Sequence, residues 1–318
     1  MKVIDIINNS QRPFASFELV PPVKGSDRSA LFDNVRELMD FEPPFLNITC
    51  HRDEERFVEN ADGSYKRYLL SRRPSTTAIV GALMREFSVD IVPHVICGGQ
   101  TKTATESELL DLHFLGVENV VALRGDAMPG QKRFIPERDG FDHADGLVGM
   151  IRNLNEGRYL DPTVKDGVHT DFCVGVGAYP EKHFEAANIE EDIKFLKRKV
   201  DAGADYIITQ MFFNNDVYYR FVGECRKAGI TVPVIPGLKP LSGQKQIASI
   251  PLSFHLDLPE ELVMEVYRAK GDKDKIYDIG QEWCMMQSRD LIAHGAPAIH
   301  YYTMGKADNI KNIVKAVF

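Results

Sequence analysis

The chain has 318 residues, of which 44% are hydrophobic and 26% charged, and its formal net charge at pH 7 is −8. A chain of this size buries a substantial core, while an acidic balance without a long lysine or arginine run argues against nucleic acid or an anionic membrane as a partner. Five scattered cysteines without CxxC spacing, no signal-peptide core at the N-terminus and no apolar run of about 18 residues predict a cytoplasmic protein with reduced thiols and no protein-held metal.

Short apolar runs that predict β-strands alternate with helical patterns along the whole chain. Most of these runs are nearly continuous in apolar residues, which is typical of parallel strands that are covered on both faces. The eight predicted strands are residues 13–19, 45–50, 90–97, 119–125, 172–179, 205–212, 232–238 and 298–304.

The segments between the predicted strands have helical period and suitable ends. SDRSALFDNVRELMDF begins with Ser/Asp capping residues, TATESELLDLHFLGV reaches a glycine before the next strand, and NIEEDIKFLKRKVDAGAD opens with acids and closes with bases. Eight β/α units with no linker or repeat predict a single (β/α)8 TIM barrel, of the α/β class, that spans residues 1–318 as one domain. Two loops are long, at 125–146 and 156–171.

A polar or ionisable residue stands at or near the carboxyl end of every predicted strand. In a (β/α)8 barrel these ends converge, and the chemistry takes place there. Taken singly, His94 could be a hydrogen-bonded core histidine, Arg124 and Asp126 an ion pair, and Glu18 the partner of a lysine or arginine across the barrel mouth. Together the eight positions predict a small-molecule site; they are Glu18, Thr49, His94, Arg124, Tyr179, Gln210, Lys239 and Tyr302.

Familiar catalytic motifs do not narrow the chemistry of this site. The sequence contains no HExxH, GxSxG or Walker-type motif, and the GxG at 175–177 is followed by Pro180 where a Rossmann fold would open a helix. What remains distinctive is Glu18, a carboxyl group flanked by Phe17, Leu19 and Val20. Burial among these side chains is expected to raise its pKa, as suits a general acid.

An ordered set of motifs resembles the flavin-dependent methylenetetrahydrofolate reductase family over nearly the whole chain. The motifs are SFEL-VPP, LNITC, VPHVIC, VALRGDAMPG, AYPEKH, LKRKVDAGADYIITQMFF, IPGLKPL and HYYTM. The resemblance implies a (β/α)8 barrel that binds FAD and reduces 5,10-methylenetetrahydrofolate to 5-methyltetrahydrofolate with NADH or NADPH. It also implies ping-pong hydride transfer through FAD, a role in supplying methyl groups for methionine synthesis, and a homo-oligomer.

The same resemblance assigns roles to individual residues. Glu18 matches the general acid that protonates N10 of the folate, and Asp126 matches the acid beside the flavin and the pterin. Lys199 would also suit a plain helix-capping role, whereas Asp192, seven residues earlier on the same helical face, suits a ribose hydroxyl. The positions matching the cofactor site are Thr49, His94, Arg124, Gly125, Asp126, Tyr179, His183, Asp192 and Lys199, and those matching the substrate site are Glu18, Asp126, Gln210, Gln246, Tyr302 and Lys306.

Two positions depart from the family pattern, and other functions compete. Lys306 stands where an arginine is expected, and Ile250 where an aromatic ring would stack on the substrate. The chain ends at Phe318, directly after the last predicted helix, so no regulatory domain is expected. Competing functions are a flavin-linked proline dehydrogenase, a non-catalytic folate-binding barrel, and a flavoprotein that receives its electrons from another protein.

Overall fold

The computed structural model describes residues 1–128 and 130–318, and all of their side chains except those of residues 55 and 69. Along these residues the chain forms ten strands and eleven helices. The strands are β1 (Phe14–Leu19), β2 (Phe45–Ile48), β3 (Glu54–Glu59), β4 (Tyr65–Leu70), β5 (Asp90–Ile96), β6 (Asn119–Leu123), β7 (Cys173–Ala178), β8 (Tyr206–Met211), β9 (Val234–Leu238) and β10 (Ala298–Tyr302). The helices are α1 (Val3–Asn9), α2 (Ser29–Met39), α3 (Thr76–Glu86), α4 (Lys102–Phe114), α5 (Ala144–Asn155), α6 (Ile189–Asp201), α7 (Asn215–Lys227), α8 (Gln246–Phe254), α9 (Glu260–Arg268), α10 (Lys273–Ala293) and α11 (Asp308–Val317).

Eight of the strands close into a parallel barrel, which confirms the predicted fold. Their order around the barrel is β1, β10, β9, β8, β7, β6, β5 and β2, and β2 pairs again with β1. The pairing places Glu18 of β1 opposite Tyr302 on one side and Asn47 on the other. All eight predicted strands overlap these barrel strands, because continuous apolar runs are what a doubly covered parallel sheet requires.

Helix α6 shows how local sequence sets an element that carries several predicted site residues. Its N-cap is Asn188, whose side chain accepts a hydrogen bond from the Glu191 amide. Three acidic residues occupy its first turn and two basic residues its last. These charges interact favourably with the helix dipole at both ends and stabilise the helix. Asp192 and Lys199 therefore lie on one helix, seven residues apart, as predicted.

Apolar side chains pack on both sides of the barrel strands and stabilise the barrel. The larger layer lies between the strands and the surrounding helices and includes Phe17, Leu19 and Ile48. A smaller cluster fills the barrel interior near the amino ends of the strands, where Phe45, Tyr206 and Ala298 pack with Val3 of helix α1. Helix α1 thus covers the lower end of the barrel, and polar side chains are left for the upper, carboxyl end.

Some elements lie outside the eight-unit pattern. Strands β3 and β4 form a separate antiparallel hairpin after β2, and helices α8 and α9 are inserted between β9 and α10. Both insertions follow the carboxyl end of a barrel strand, so they stand at the rim of the upper end. Among the described residues, no helix combines the length and apolar character that a membrane crossing needs.

Candidate active site

Glu18 stands at the upper end of β1 and faces the barrel interior. Along this strand Ala15, Phe17 and Leu19 pack into the outer apolar layer, so the alternating positions Ser16 and Glu18 point inward. The Glu18 side chain is 14% exposed. The structure therefore places a carboxyl group on the boundary between the filled barrel interior and the open rim.

Two imidazoles bracket the Glu18 carboxyl group. His94 Nε2 lies 3.8 Å and His300 Nε2 3.9 Å from Glu18 Oε2. Burial lowers the pKa of His94 to about 4, against the opposing influence of the Glu18 charge, so His94 is neutral at neutral pH. Among the described residues, the ion-pair contacts of Glu18 are thus with histidines rather than with the lysine or arginine that one sequence-based alternative required.

Below Glu18 a buried polar layer holds these imidazoles. Ser16 Oγ and His300 Nδ1 are 2.9 Å apart, and Asn47 Nδ2 lies 3.5 Å from His94 Nε2. Asn47 Oδ1 and His300 Nε2 are buried, and neither has a hydrogen-bond partner among the described residues. Unpaired buried polar atoms are costly, so their clustering under Glu18 indicates a layer built for function.

The sequence prediction missed Ser16, Asn47 and His300, although the sequence contained a signal for them. Ser16 and His300 each stand two positions before a predicted site residue, Glu18 and Tyr302, on the same strand. Because side chains two apart on a strand share a face, each of them has to point into the barrel beneath the predicted residue.

Several predicted cofactor residues converge beside the ends of β6 and β7. Arg124 forms an ion pair with Glu185, and its guanidinium lies 5.0 Å from the centre of the Phe134 ring. Arg124 Nη2 is 3.5 Å from His183 Nε2, while the His183 amide donates to Asp192 Oδ2 at 2.8 Å. Arg124, His183 and Asp192 therefore form one connected group.

Tyr179 and Lys199 also belong to this group, and burial in it shifts their pKa values. The Tyr179 ring packs edge-on against His183, with centroids 4.7 Å apart, and burial raises the pKa of Tyr179 to about 12. Lys199 Nζ donates to the Gly177 carbonyl oxygen at 2.7 Å, and burial lowers the pKa of Lys199. Burial, followed by the charge of Arg124, lowers the pKa of His183 to about 4.

This donor set suits a dinucleotide. Two cations, Arg124 and Lys199, provide for a diphosphate, and the Asp192 carboxylate provides an acceptor for ribose hydroxyls. Burial raises the pKa of Asp192, while its bond from the His183 amide and the charge of Lys199 oppose that shift. Within residues 1–128 and 130–318, no three or more His, Cys, Asp or Glu side chains are grouped to hold a metal ion.

The other predicted cofactor positions lie around the same opening. Gly125 has a φ of +84°, which a residue with a Cβ adopts only with strain, so the turn after β6 requires glycine. Asp126 follows it in the loop and is exposed. Thr49 comes directly after β2, and its hydroxyl lies 3.0 Å from His51 Nε2.

The predicted substrate residues fall into two groups. Gln210 is the next-to-last residue of β8 and Tyr302 the last residue of β10. Gln210 Oε1 accepts from the Met211 amide at 2.8 Å, and the Tyr302 hydroxyl donates to the Thr209 carbonyl oxygen at 2.6 Å. Gln246 instead begins the inserted helix α8, and Lys306 is exposed in the loop after β10.

Ile250, the position that departs from the family pattern, is only 3% exposed. It packs in an apolar cluster that joins helices α8, α9 and α10 to the ends of β8 and β9. The stacking surface expected at this position is therefore absent, because the Ile250 side chain serves to anchor the inserted helices.

Comparisons with known proteins agree with this fold. Among solved structures, a protein from Clostridium thermocellum described as binding two copies of 5-methyl-5,6,7,8-tetrahydrofolic acid has a TM-score of 0.58 with 13% identity, over 98% of each chain. At that identity the likeness concerns the fold. The tryptophan synthase of M. tuberculosis gives a TM-score of 0.50 with 11% identity, over 99% of this chain and 96% of the other.

Sequence relatives are closer. A probable methylenetetrahydrofolate reductase (NADPH) of Caenorhabditis elegans is 29% identical over 99% of this chain and 43% of its own length, and methylenetetrahydrofolate reductase (NADH) 1 of Arabidopsis thaliana is 30% identical over 96% and 48%. The chain thus spans less than half the length of these relatives. The 5,10-methylenetetrahydrofolate reductase of Salmonella typhimurium is 28% identical over 92% of this chain and 86% of its own. The family model for methylenetetrahydrofolate reductase matches residues 2–317, and the chain belongs to that family.

Proposed function

We propose that this protein reduces 5,10-methylenetetrahydrofolate to 5-methyltetrahydrofolate with NADH or NADPH, and that it uses FAD as its cofactor. The observation that carries the proposal is the position of Glu18, a carboxyl group at the mouth of an apolar barrel between two imidazoles. The names of the relatives, which are reductases of this folate with NADH or NADPH, support the same reaction.

The residues beside β6 and β7 have the chemistry to hold FAD. Arg124 and Lys199 would bind the diphosphate and Asp192 a ribose, with Tyr179 and His183 packed along the same side. Gly125 allows the chain to turn close to the cofactor, while Thr49 and His94 border it from β2 and β5. When bound, FAD would accept a hydride from the nicotinamide nucleotide and pass it to the one-carbon unit of the folate.

Glu18 has a separate task on the folate. Opening the five-membered ring of the substrate requires a proton at N10, and Glu18 would donate it from the barrel mouth. Burial keeps the His94 imidazole uncharged, so it places no positive charge beside the carboxyl group. Asp126 would place a negative charge beside the cationic form of the opened substrate.

The remaining predicted residues would orient the folate. Tyr302 lies on β10 directly beside Glu18, and Gln210 lies near the end of β8, across the mouth from Glu18. Their polar groups therefore suit the pterin edge. Gln246 and Lys306 stand at the rim, on α8 and on the loop after β10, where they suit the outer part of the molecule and its carboxylates. The substrate would thus extend from the centre of the barrel toward the inserted helices.

The test is a two-step anaerobic reaction of the purified protein. Its visible spectrum, or its spectrum after reconstitution with FAD, should show bound flavin that NADH or NADPH bleaches. Addition of 5,10-methylenetetrahydrofolate should restore the colour and yield 5-methyltetrahydrofolate. A protein that binds no flavin contradicts the proposal, whereas bound flavin that no nicotinamide nucleotide reduces points to another electron donor.

A further inference from the structure

The loop after β7, residues 179–188, contacts the inserted helices at the rim of the barrel. Glu181 in this loop accepts a hydrogen bond from the Asp257 backbone amide at 2.6 Å. Asp257 lies between α8 and α9, so the bond joins the loop to both insertions. Burial raises the pKa of Glu181 to about 7, although the bond from the Asp257 amide opposes that shift. A half-buried carboxyl group is therefore kept where it holds a backbone amide.

A pair of stacked rings forms a second contact beside this bond. The Phe184 and His255 rings are inclined by 27°, and their centroids are 4.7 Å apart. His255 ends α8 with a φ of +54°, and Lys182, the residue after Glu181, has a φ of +119°. Such conformations are strained for a residue with a Cβ, and they persist where surrounding contacts hold them. Strain on both sides of the contact indicates that the two segments are held in a set arrangement.

The contact connects residues assigned to the cofactor with a residue assigned to the substrate. His183, two residues after Glu181, belongs to the cofactor group through the bond from its amide to Asp192. Gln246 begins α8 and His255 caps the other end of that helix, which has nine residues. Because a short helix moves as a rigid element, a shift of its end at His255 also moves Gln246.

We propose that Glu181 is a positioning residue for the folate; this inference rests on the proposed function. By holding the Asp257 amide, Glu181 fixes the end of α8 against the loop that carries His183, and so sets how far Gln246 stands from the cofactor group. The apolar cluster around Ile250 anchors the inner side of α8, whereas Glu181 restrains the helix at the rim. A folate then binds without first having to order α8, which increases its affinity.

Replacement of Glu181 by alanine and by glutamine tests this role. Glu181→Ala removes the acceptor and should raise the KM for 5,10-methylenetetrahydrofolate about 5- to 10-fold, the equivalent of one hydrogen bond, with kcat and flavin content within about twofold of their usual values. Glu181→Gln keeps an oxygen that accepts from the Asp257 amide, and it should retain the KM of the unsubstituted protein. Amide hydrogen exchange in α8 should be faster in Glu181→Ala than in Glu181→Gln, and exchange in α6 should be the same in both.

Glu224→Ala is the matched control. Glu224 pairs with Lys227 on the surface of α7, and its loss should change neither the KM nor exchange in α8. Urea unfolding of each variant checks that the barrel is intact. An unchanged KM in Glu181→Ala, an equal rise in Glu181→Gln, or unchanged exchange in α8 overturns the positioning role. Failure of the unsubstituted protein to reduce the folate instead overturns the proposed function, and exchange in α8 still decides whether Glu181 holds the helix.

Discussion

Replacing Glu18 with glutamine separates the two half-reactions of the proposed mechanism. Only the reaction with the folate needs a proton donor, so reduction of the flavin by NADH or NADPH should proceed at close to its normal rate. Reoxidation by 5,10-methylenetetrahydrofolate should slow about 10²- to 10⁴-fold, the usual contribution of a general acid, which corresponds to about 3 to 5 kcal/mol in the activation barrier.

The surroundings of Glu18 indicate that the fold tolerates this change. Glutamine has nearly the same shape, and the two imidazole nitrogens, at 3.8 and 3.9 Å, are beyond hydrogen-bond distance, so the substitution breaks no hydrogen bond to them. His94 is uncharged at neutral pH, so little ion-pair energy with it is lost. The free energy of unfolding should change by no more than about 1 kcal/mol.

Anaerobic stopped-flow absorbance in the flavin band measures both half-reactions on one sample. The reductive half-reaction of the same variant serves as the control, because it depends on the same bound flavin. If Glu18→Gln slowed both half-reactions equally, the carboxyl group would have a structural or cofactor-binding role. If neither slowed, the proton at N10 would have another source.

Four further substitutions test how the barrel is stabilised. Gly237→Ala would place a Cβ 2.2 Å from the Thr209 carbonyl oxygen, and such overpacking should lower the free energy of unfolding in urea by about 1 to 3 kcal/mol. Gly149→Ala on α5 is the matched control, because among the described residues no atom outside its chain neighbours and its own helix backbone lies within 4 Å of the added carbon. This substitution should be neutral or stabilising by up to about 1 kcal/mol. Burial raises the pKa of Glu108 from its ordinary 4.5 to about 7. Between these two pH values the folded state holds a proton that the unfolded state releases, so stability should fall as pH rises from about 4.5 to about 7. Glu108→Gln should reduce this slope, and an unchanged slope would contradict the assignment. Asn119 forms hydrogen bonds with two backbone groups of the N-terminal segment. Asn119→Ala should therefore lower the free energy of unfolding by about 1 to 3 kcal/mol and speed up amide hydrogen exchange in α1. Exchange that stays as slow as before would show that other contacts hold the helix.

The barrel was predictable from sequence because its strands carry a simple signal. Parallel strands covered on both faces have to be apolar almost throughout, and most of the eight runs met that condition. The β3–β4 hairpin carries no such signal, since EERFVE and YKRYLL are rich in charges and Phe57 and Tyr65 remain exposed. Helix α8 was missed for a related reason, because Pro251 interrupts its helical pattern.

Only the site residues at the strand ends were predictable from the sequence. Position at a strand end selected Glu18 and Arg124, but the residues beneath or beside them depend on packing between distant segments. His300 reaches Glu18 from a strand 282 residues later in the chain, since β10 pairs with β1. Glu185 pairs with Arg124 through the loop before α6, and no local pattern in the sequence marks such a partner.

Closure of the lower end of the barrel by α1 affects the order in which ligands bind. With that end filled by Val3, Phe45 and their neighbours, ligands reach Glu18 from the upper end only. Under the proposed function, a nicotinamide nucleotide and a folate would both approach through this opening, and we expect them to bind in turn. Each should therefore inhibit competitively against the other when present in excess, so that the rate of turnover passes through a maximum as either concentration rises.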